Sequence, residues 1–533
     1  TPDDLPILEA KMGEFITQNI AFTSRTVSRD EANELFKDQP YKLELINDLP
    51  EDETITVYTS GDFTDLCAGP HVVKSSEVGV IKLLSIAGAY WRGSEKNPML
   101  TRVYGTAYAT QAEVDDYLAR LELAKQRDHR VLGEKLGYYT FSDDIGPGLP
   151  LWMPPGATVF RLLEDYMRNY ELADGFQFVR TPQIADGAMY HKTGHLPYYA
   201  ESMYAPIKIE ERDYYLRPMN CPHHHEVARK LIQSYRDLPL RLAEPGIDYR
   251  YELSGTLTGL IRTRVFTQND AHIYCRMSQV KDEFKHVLRM FQQVYADMGI
   301  TEYRFRLSLP DFAHNPDKYG GDPKQWENAN QIIREILQEA DVAFTEESGE
   351  AAFYGPKMDV QMKNILGKED TIATSQIDIL IPQRLGLTFT NEQGEDEPLV
   401  IIHRAILGSF ERFIAFYLEK TGGDLPLWLA PTQVAILPVS DKFMSYAEAI
   451  ERDLKARGLR PLLDVSSESV GKKIRNAETM RYPIMLVVGQ KEEEAKTISV
   501  RTRLKGDEDT MEGEMTLDEF VNQFNFAMPK PKI

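Results

Sequence analysis

The sequence is poor in cysteine, with only Cys67, Cys221 and Cys275 among 533 residues. Three widely spaced cysteines argue against a disulfide framework and favour a reducing compartment. Long apolar runs are also missing, and no stretch of about 18 apolar residues is available for a membrane-spanning helix. The first residues, TPDDLPILEAKMGEF, are acidic and interrupted by prolines, unlike a secretory or mitochondrial targeting segment. We therefore expect a cytosolic protein without a membrane partner.

Positive charge is in deficit, because 61 Lys and Arg face 82 Asp and Glu, a net charge of -21. This argues against a protein that coats itself with nucleic acid through overall positive charge. A local basic groove stays possible, since exposed charges are screened beyond about 10 Å. No fixed-period repeat and no low-complexity tract is visible, which sets solenoids and propellers aside. The length predicts roughly two to four globular domains.

The pattern along the chain predicts four segments. Residues 1–110 combine a helical pattern over 5–19 with alternating stretches at 41–46 and 54–58, which indicates a mixed α/β unit. Residues 111–133 are charged and lack proline and internal glycine, and they are predicted to form a linker helix.

The third segment, residues 134–425, alternates helical and β-rich stretches. Helices are predicted over residues 158–173, 278–298, 323–340 and 403–420, and β-rich stretches over 247–253 and 353–362. The β stretches are mostly joined by turns, which favours an antiparallel sheet flanked by helices over a Rossmann-type sheet. The segment 421–433, rich in Gly and Pro, marks a boundary.

The last segment, residues 426–533, changes its order of elements. Strands are predicted over 434–439, 460–465, 484–488 and 497–503, with helices ending at residue 457 and spanning 470–480. This alternation predicts a small open α/β domain.

One cysteine lies in a very polar neighbourhood. Cys221 stands in RPMNCPHHHE beside His223, His224 and His225. The simplest interpretation is a buried thiol with surface histidines. A metal or catalytic role stays open from this motif alone.

Two further segments supply histidines. In FTQNDAHIY, residues 266–274, a strand would place Gln268, Asp270 and His272 on one face, because side chains alternate with period two. His403 follows the apolar run 399–402 and is predicted to open the helix HRAILGSFERF. Cys221, His272 and His403 are too far apart for a compact zinc-finger spacing, and spacing alone does not establish a site.

Arginines add a second pattern. Arg250 lies in a β segment, a turn follows, and Arg262 and Arg264 come before Phe266, while Arg412 lies in the last helix of this region. A single arginine is ordinarily a solvated surface charge. Together they suit a bent triphosphate, because guanidinium groups donate to phosphate oxygens and can stack on an adenine. The two common glycine-rich nucleotide loops are absent from the sequence, so ATP would bind in another way.

Several long motifs resemble one family. LRPMNCP, EPGIDYRYELSGTLTGLIRTRVFTQNDAHIY, FYGPKMDV and VIIHRAILGSFERF, with DLCAGPH, AYWRGSEKNPMLTRVYGTA and SVRTR, are similar to bacterial-type threonyl-tRNA synthetases, which are class II aminoacyl-tRNA synthetases. They occur in the same order over essentially the whole chain. The resemblance implies a class II catalytic domain at 134–425, an α/β anticodon-binding domain at 426–533 and part of an editing domain at 1–110. The implied activity is threonine–tRNA ligase, forming threonyl-adenylate from ATP and acylating tRNA(Thr).

The resemblance implies one catalytic zinc per subunit, held by Cys221, His272 and His403. Three protein ligands leave a position open for the substrate. A zinc-bound hydroxyl would separate threonine from valine, which an apolar pocket does poorly. Asp270 would accept hydrogen bonds from the amino acid. The further residues implied to line the catalytic pocket are Gln268, Tyr354, Lys357, Gln376 and Ser409.

For ATP, the resemblance assigns Arg250 to the α-phosphate and Arg262 to the γ-phosphate. Phe266 and Arg412 would sandwich the adenine, and Glu252 belongs to the same ATP-binding set. The threonine carboxylate would attack the α-phosphate in line, so positioning, arginine charge and Mg²⁺ supply the catalysis. The stretch GFQFVRTPQI resembles motif 1, which implies a homodimer interface.

The N-terminal and C-terminal segments match fewer of the family's site residues. Asp65, Cys67 and His71 match half of the family's editing site, while the His-x-x-x-His half lies upstream in the family. Because the chain begins with Thr1, we expect a longer natural protein, and poor editing by this polypeptide.

Glu492 and Arg501 match base-contacting positions of the anticodon-binding domain. Lys472, Lys473 and Arg475 are candidates for phosphate contacts. Two departures from the family pattern are Ser469, where a lysine is common, and Asn269, where an aspartate is common. The first puts anticodon contact in doubt, and the second is expected to matter little, because Asn269 should face away from the site.

Two alternatives remain at this point. One is a class II synthetase for another small amino acid, such as proline or serine, against which Cys221, His272, His403 and Asp270 argue. The other is a catalytically inactive, synthetase-like tRNA-binding regulator, against which the retained Arg250 and ligand set argue.

Overall fold

The computed structural model describes residues 1–315, 318–319, 322–503 and 513–532. It divides into two units, Thr1–Leu123 and Ala124–Ile533. Within the described ranges, no helix combines the length and the apolar character needed to cross a bilayer.

The N-terminal unit contains a small antiparallel sheet and a separate hairpin. Its elements are α1 (Leu5–Thr17), β1 (Phe22–Val27), α2 (Arg29–Leu35), α3 (Pro40–Asp48), β2 (Ile55–Ser60), β3 (Phe63–Leu66), β4 (Val80–Tyr90) and β5 (Met99–Tyr108). The sheet order is β1-β2-β3, and β4 pairs with β5. The extended stretch predicted at 41–46 is wrong, because this segment is α3. Its apolar residues Leu43 and Ile46 recur at helical spacing, and Ile46 is buried against Ala32 and Phe36.

The predicted linker helix is two helices, α4 (Gln111–Arg127) and α5 (His129–Lys135). Asp128 separates them and caps α5, since its side chain accepts a hydrogen bond of 2.8 Å from the backbone N–H of Arg130. The prediction of a single linker helix is therefore wrong at Asp128.

An eight-stranded sheet organises the catalytic region. The elements in chain order are β6 (Tyr139–Thr140), β7 (Leu151–Trp152), α6 (Pro154–Ala173), β8 (Gln177–Phe178), β9 (Ile184–Asp186), α7 (Gly187–Thr193), α8 (His195–Tyr198), β10 (Ile207–Ile209), β11 (Arg212–Leu216), α9 (Cys221–Leu231), β12 (Leu240–Tyr249), β13 (Val265–Cys275), α10 (Val280–Asp297), β14 (Arg304–Leu309), α11 (Pro323–Glu339), β15 (Phe344–Ser348), β16 (Lys357–Lys363), β17 (Glu369–Asp378), α12 (Ile381–Leu385), β18 (Thr388–Thr390), β19 (Asp396–Pro398), β20 (Val400–Ser409) and α13 (Phe410–Thr421). The strand order is β15-β14-β16-β17-β20-β13-β12-β8. Pairing is antiparallel except for the outermost pairs, β14 with β15 and β12 with β8. The predicted antiparallel sheet flanked by helices is confirmed.

Helix α10 covers one face of this sheet. Its buried side chains Phe284, Val287, Phe291 and Tyr295 recur at three- and four-residue spacing and so form one apolar stripe. Each such side chain contributes about 1.5–3 kcal/mol when fully removed from water. Tyr295 also donates a hydrogen bond of 3.1 Å to the carbonyl of Ile406 in β20. The opposite face of the central strands is thereby left for the site.

His403 lies in a strand, and the prediction that it opens a helix is wrong. Residues 400–407 form the first part of β20 and are all buried, as in a central strand covered on both faces. Helix α13 begins only at Phe410, where the side chain of Ser409 accepts a hydrogen bond from the backbone N–H of Arg412. Gly408, with φ of 63°, lies in β20 one residue before its end and turns the backbone toward α13.

The C-terminal region forms the predicted α/β domain. Its elements are β21 (Val434–Pro438), α14 (Met444–Ala456), β22 (Pro461–Leu463), α15 (Val470–Thr479), β23 (Ile484–Val488), α16 (Gln490–Ala495), β24 (Ile498–Thr502), β25 (Gly513–Met515) and α17 (Leu517–Gln523). The strand order is β22-β21-β23-β24-β25, parallel for the first three and antiparallel thereafter. The boundary segment is fixed to this domain, because Arg460 donates to the carbonyls of Trp428 and Ala430 at 2.7 and 3.0 Å.

Candidate active site

A cleft of about 730 Å³ lies on the open face of the catalytic sheet. It is bordered by strands β13, β16, β17 and β20, by the start of α9 and by the connection between β12 and β13. All of the catalytic, substrate-binding and metal residues expected from the sequence line this one cleft: Cys221, Arg250, Glu252, Arg262, Phe266, Gln268, Asp270, His272, Tyr354, Lys357, Gln376, His403, Ser409 and Arg412.

Strand register aligns several of these residues in one row. His272 of β13 lies directly opposite His403 of β20, His403 lies opposite Gln376 of β17, and Gln376 lies opposite Lys357 of β16. Directly opposite residues of antiparallel strands point to the same face. Asp270 stands two residues before His272 and therefore joins that face.

Cys221, His272 and His403 converge in this row. Their potential ligand atoms all lie within 4.8 Å of one another, and all three residues are buried. The two imidazole rings are 4.6 Å apart between centroids. Burial raises the pKa of the Cys221 thiol and lowers the pKa of His272. A thiolate and neutral imidazoles are the donors that Zn²⁺ takes, and a bound cation offsets the cost of burying the thiolate. The donor set therefore fits a zinc ion.

Both imidazoles use one nitrogen for an outer partner. His272 Nδ1 lies 2.8 Å from His224 Nδ1, and His403 Nε2 lies 3.2 Å from Asp378 Oδ2. Such partners fix the orientation of a metal-binding imidazole and leave the other nitrogen for the ion. His224 in turn lies 3.2 Å from Glu244 through Nε2. Burial raises the pKa of Glu244, but hydrogen bonds from His224 and Thr181 outweigh it and bring the pKa to about 2.

The sequence interpretation missed these outer partners. It assigned His223, His224 and His225 to the surface, whereas all three are buried where α9 packs on the sheet. Three consecutive histidines after Cys221 were the available signal. Asp378 had no comparable motif, since it comes to His403 only through the pairing of β17 with β20.

Polar side chains surround the convergence point. Tyr354 donates a hydrogen bond to the side-chain oxygen of Gln376, and its ring lies 5.2 Å from that of His403. Lys357 Nζ lies 3.1 Å from Asp359 Oδ2, which holds its ammonium beside the row. Burial raises the pKa of Asp270. Together these groups can orient the amino and carboxylate groups of a small amino acid.

The arginines occupy the other end of the cleft. Arg250 follows β12 directly, and its guanidinium carbon lies 4.8 Å from the centre of the Phe266 ring. Arg262 donates a hydrogen bond of 2.9 Å to Glu252. Arg412, in the first turn of α13, has its pKa lowered by burial. Guanidinium groups can donate to the phosphates of a nucleoside triphosphate, and an aromatic ring beside them can stack on its base.

The residues matching an editing site lie in the N-terminal unit. Asp65 is on β3 and forms an ion pair with Lys42. Cys67 Sγ accepts a hydrogen bond of 3.4 Å from the N–H of Gly69, and the His71 ring packs edge-on against Tyr58 at 4.3 Å. These three residues are thus near one another on the edge of the β1-β2-β3 sheet.

In the C-terminal domain, Arg501 is exposed on β24, and Glu492 lies on α16. Glu492 accepts a hydrogen bond of 2.8 Å from the N–H of Gly489. The prediction that Lys473 contacts a phosphate is wrong. It is buried and donates to the backbone carbonyls of Pro438 and Asp464 at 3.2 and 3.3 Å.

Three family profiles match the chain in the same order as its domains. Residues 55–104 match the threonyl and alanyl tRNA synthetase second additional domain, residues 204–421 the class II tRNA synthetase core domain (G, H, P, S and T), and residues 433–525 the anticodon-binding domain. The threonine–tRNA ligase of Halalkalibacterium halodurans is 46% identical over 524 residues, covering 98% of this chain and 80% of that protein. The chain belongs to the threonyl-tRNA synthetase family. The threonine–tRNA ligase of Deinococcus radiodurans is 47% identical over 502 residues, which cover 94% of this chain and 77% of that protein.

Solved structures of the family agree with this fold. A domain described as the RNA-binding domain of threonyl-tRNA synthetase from Cryptosporidium parvum matches with a TM-score of 0.70 at 36% identity, covering 76% of this chain and 99% of that one. A putative threonyl-tRNA synthetase from Aeropyrum pernix matches with a TM-score of 0.64 at 29% identity, covering 74% and 90%. The class II core that the family shares implies ATP, with Mg²⁺, and tRNA as partners.

Proposed function

We propose that the chain activates L-threonine with ATP and transfers it to the terminal adenosine of tRNA(Thr). The observation that carries this proposal is the convergence of Cys221, His272 and His403 within 4.8 Å, in the cleft that also holds Arg250 and Arg412. A zinc ion at this position would coordinate the amino and hydroxyl groups of threonine, which valine cannot match. Serine shares that hydroxyl and would be rejected less well.

The residues of the row orient the amino acid. Asp270 accepts hydrogen bonds from the bound amino group. Lys357 and Gln376 hold the substrate from the neighbouring strands, and Tyr354 holds it from the turn before β16. Gln268 lies opposite Ser409, at the point where the row meets the ATP end of the cleft. The carboxylate of threonine is thereby directed toward the arginines, which is the orientation that an in-line attack on phosphorus needs.

The arginines bind and polarise ATP. Arg250 contacts the α-phosphate and Arg262 the γ-phosphate, with Glu252 holding the Arg262 guanidinium in place. Phe266 and Arg412 enclose the adenine. Charge develops on the α-phosphate oxygens during attack, so fixed donors placed there lower the barrier without an acid or base residue. Mg²⁺ accompanies ATP and supplies further positive charge.

Other surfaces complete the assignment. Glu492 and Arg501 would contact anticodon bases, and Asp65, Cys67 and His71 would form part of an editing site. The apolar side chain of Ile184, the last residue of the motif 1 stretch, and that of Leu172 just before the stretch are 40% and 54% exposed, which supports a homodimer interface there. We place the activity in the cytoplasm, where aminoacyl-tRNA is used.

The proposal is tested by ATP–pyrophosphate exchange with threonine, valine and serine, with and without a zinc chelator. We expect exchange with threonine, weaker exchange with serine, little with valine, and loss of the threonine reaction on chelation. Exchange with proline or another amino acid in place of threonine would mean that the chain is a class II synthetase for that amino acid. If no amino acid supports exchange, the chain is a tRNA-binding protein without catalytic activity. Exchange that survives loss of zinc would refute the role of the three ligands.

A further inference from the structure

His129, the first residue of α5, contacts two distant parts of the catalytic region. Its Nδ1 lies 2.7 Å from Glu419 Oε1 in α13, and its Nε2 accepts a hydrogen bond of 3.1 Å from the backbone N–H of Leu260. The side chain is 1% exposed. Glu419 therefore holds the proton on Nδ1, which leaves the lone pair of Nε2 for Leu260.

The segment reached by Nε2 belongs to the connection that carries Arg250, Glu252 and Arg262. Thr258 and Arg262 form a small bridge with reciprocal backbone hydrogen bonds, so residues 258–262 make a tight turn. Leu260, at the tip of this turn, is buried in the main core. The turn is thus fixed at the residue that donates to His129, and Arg262 follows two residues later.

Gly259 shows how closely the ring and the turn approach. Its φ is 48°, and a Cβ atom at this position would lie 2.2 Å from His129 Nε2. A side chain cannot be accommodated there without moving the turn or the imidazole. The contact is therefore specific to this backbone path.

Asp128, His129 and Glu419 also lie close enough to suggest a cation site. The donors around them argue against it. The backbone N–H of His129 donates to Glu419 Oε1 at 3.2 Å, and the N–H of Leu260 points at Nε2. Because Nε2 accepts from Leu260, the proton lies on Nδ1, the nitrogen that faces Glu419 and Asp128. Nδ1 therefore has no lone pair for a cation, and the group is a hydrogen-bonded clasp.

We propose that His129 is a positioning residue for ATP binding: it ties the linker helix α5 and helix α13 to the turn 258–262 and so sets the location of Arg262. This role rests on the proposed function, because Arg262 is assigned there to the γ-phosphate.

Two substitutions separate the two nitrogens. His129→Asn places an amide nitrogen near Nδ1 and keeps a donor for Glu419, but it has no acceptor for Leu260. His129→Gln places an oxygen near Nε2 and keeps that acceptor, but it loses the bond to Glu419. We expect the Asn variant to raise the KM for ATP in the exchange reaction roughly three- to tenfold, the factor that one ordinary hydrogen bond represents. Its KM for threonine should stay within about twofold of wild type. The Gln variant should largely restore the KM for ATP.

Hydrogen exchange at the Leu260 amide gives a readout that does not depend on activity. It should be faster in His129→Asn than in wild type and close to wild type in His129→Gln. His286→Gln is the matched control, since His286 also bonds a carboxylate, Asp174, through Nε2 at 2.5 Å but lies on α10. This control should change neither the KM for ATP nor the exchange at Leu260.

The proposal is overturned if the Asn and Gln variants behave alike, or if Leu260 keeps its protection in His129→Asn. Loss of folding in both variants, with His286→Gln folded, would also overturn it by making His129 a general stability residue. If wild type fails to activate threonine while hydrogen exchange at the Leu260 amide changes as described, the proposed substrate is wrong. The role of His129 in holding the turn 258–262 is then still supported.

Discussion

Asn269 donates a hydrogen bond of 2.9 Å from its Nδ2 to Glu171 Oε1, on the side of the catalytic sheet away from the cleft. Both side chains are buried, and Arg404 lies 2.7 Å from the same Glu171 oxygen. Arg404 follows His403, and Asn269 precedes Asp270. The carboxylate of Glu171 on α6 therefore joins the backs of the two strands that supply the site. Asn269 does face away from the cleft, as expected, and its amide is the donor that this carboxylate needs.

We predict that Asn269→Asp destabilises this protein. The change replaces a donor by a second carboxylate beside Glu171, and two buried carboxylates in contact cannot both ionise cheaply. We expect a loss of roughly 1–3 kcal/mol in the free energy of unfolding at neutral pH, measured by chemical denaturation. Adding Glu171→Gln should recover much of the loss, because Arg404 can then pair with the new aspartate. An Asn269→Asp variant as stable as wild type would contradict this account.

Cys221→Ser is predicted to reduce threonine-dependent exchange by at least about 100-fold, since loss of an outer partner of a metal ligand alone costs roughly 10- to 100-fold. The reason is weaker zinc binding, so metal content measured after gel filtration should fall in parallel. Stability should remain within about 1 kcal/mol of the chelated wild-type protein. Cys275→Ser is the control, because Cys275 is also buried but lies at the end of β13, outside the cleft. Unaltered exchange kinetics in Cys221→Ser would remove the metal from the mechanism.

The buried carboxyl of Glu411 should make the free energy of unfolding depend on pH. Burial raises the pKa of Glu411 to about 8, and this carboxyl accepts a hydrogen bond of 2.9 Å from the N–H of Thr267. The folded state therefore holds a proton that the unfolded state releases near pH 4.5. As pH rises from there to about 8, this group lowers the free energy of unfolding by up to roughly 1.4 kcal/mol per pH unit.

Glu411→Gln keeps an acceptor and cannot ionise. Its stability relative to wild type should rise steadily between about pH 5 and 8, measured by urea denaturation at several pH values. A difference that is flat over this range would show that Glu411 is ionised in the folded protein.

Gly408→Ala should disrupt the site through the backbone. A Cβ at residue 408 would lie 2.3 Å from the carbonyl oxygen of Ile372, and φ is 63°. The strand-to-helix junction must then shift, which displaces Ser409 and Arg412. We expect a lower melting temperature and a loss of exchange activity of at least about tenfold, the effect of roughly 1.4 kcal/mol on the barrier.

Gly299→Ala is the matched control for this effect. Its φ is 66°, but no atom lies within 4 Å of the added Cβ. It shares the backbone strain without the collision, so it should lower stability modestly, by about 1–2 kcal/mol, and leave the KM values unchanged. Equal effects of the two substitutions would show that strain alone, rather than the contact with Ile372, governs residue 408.

Much of the site could be predicted from local patterns. The alternation in FTQNDAHIY placed Gln268, Asp270 and His272 on one face, and β13 carries them into the cleft. The four predicted C-terminal strands and two predicted helices also follow the predicted order, because each apolar run had the length and flanking residues of one element type. Helix α16, between β23 and β24, was not predicted. These are properties of short segments, in which neighbouring residues decide the backbone conformation.

Predictions from local patterns were wrong where an apolar segment was compatible with both helical and strand periodicity. Residues 403–407 were predicted to be helical, but burial of β20 on both faces makes them strand. The stretch 41–46 was predicted to be extended, but Leu43 and Ile46 face the core only as a helix. Such choices depend on what packs against the segment, which lies far away in the sequence.

Long motifs in register were enough to identify the family, the order of the domains and the residues of the cleft, because such motifs can be recognised along the chain without its fold. The tertiary structure alone decided which nitrogen each imidazole directs inward, how Glu171 braces the two strands and how His129 reaches Leu260. Those relations are two hydrogen bonds and an ion pair between residues on separate segments of the chain, and only the folded arrangement sets their distances and angles.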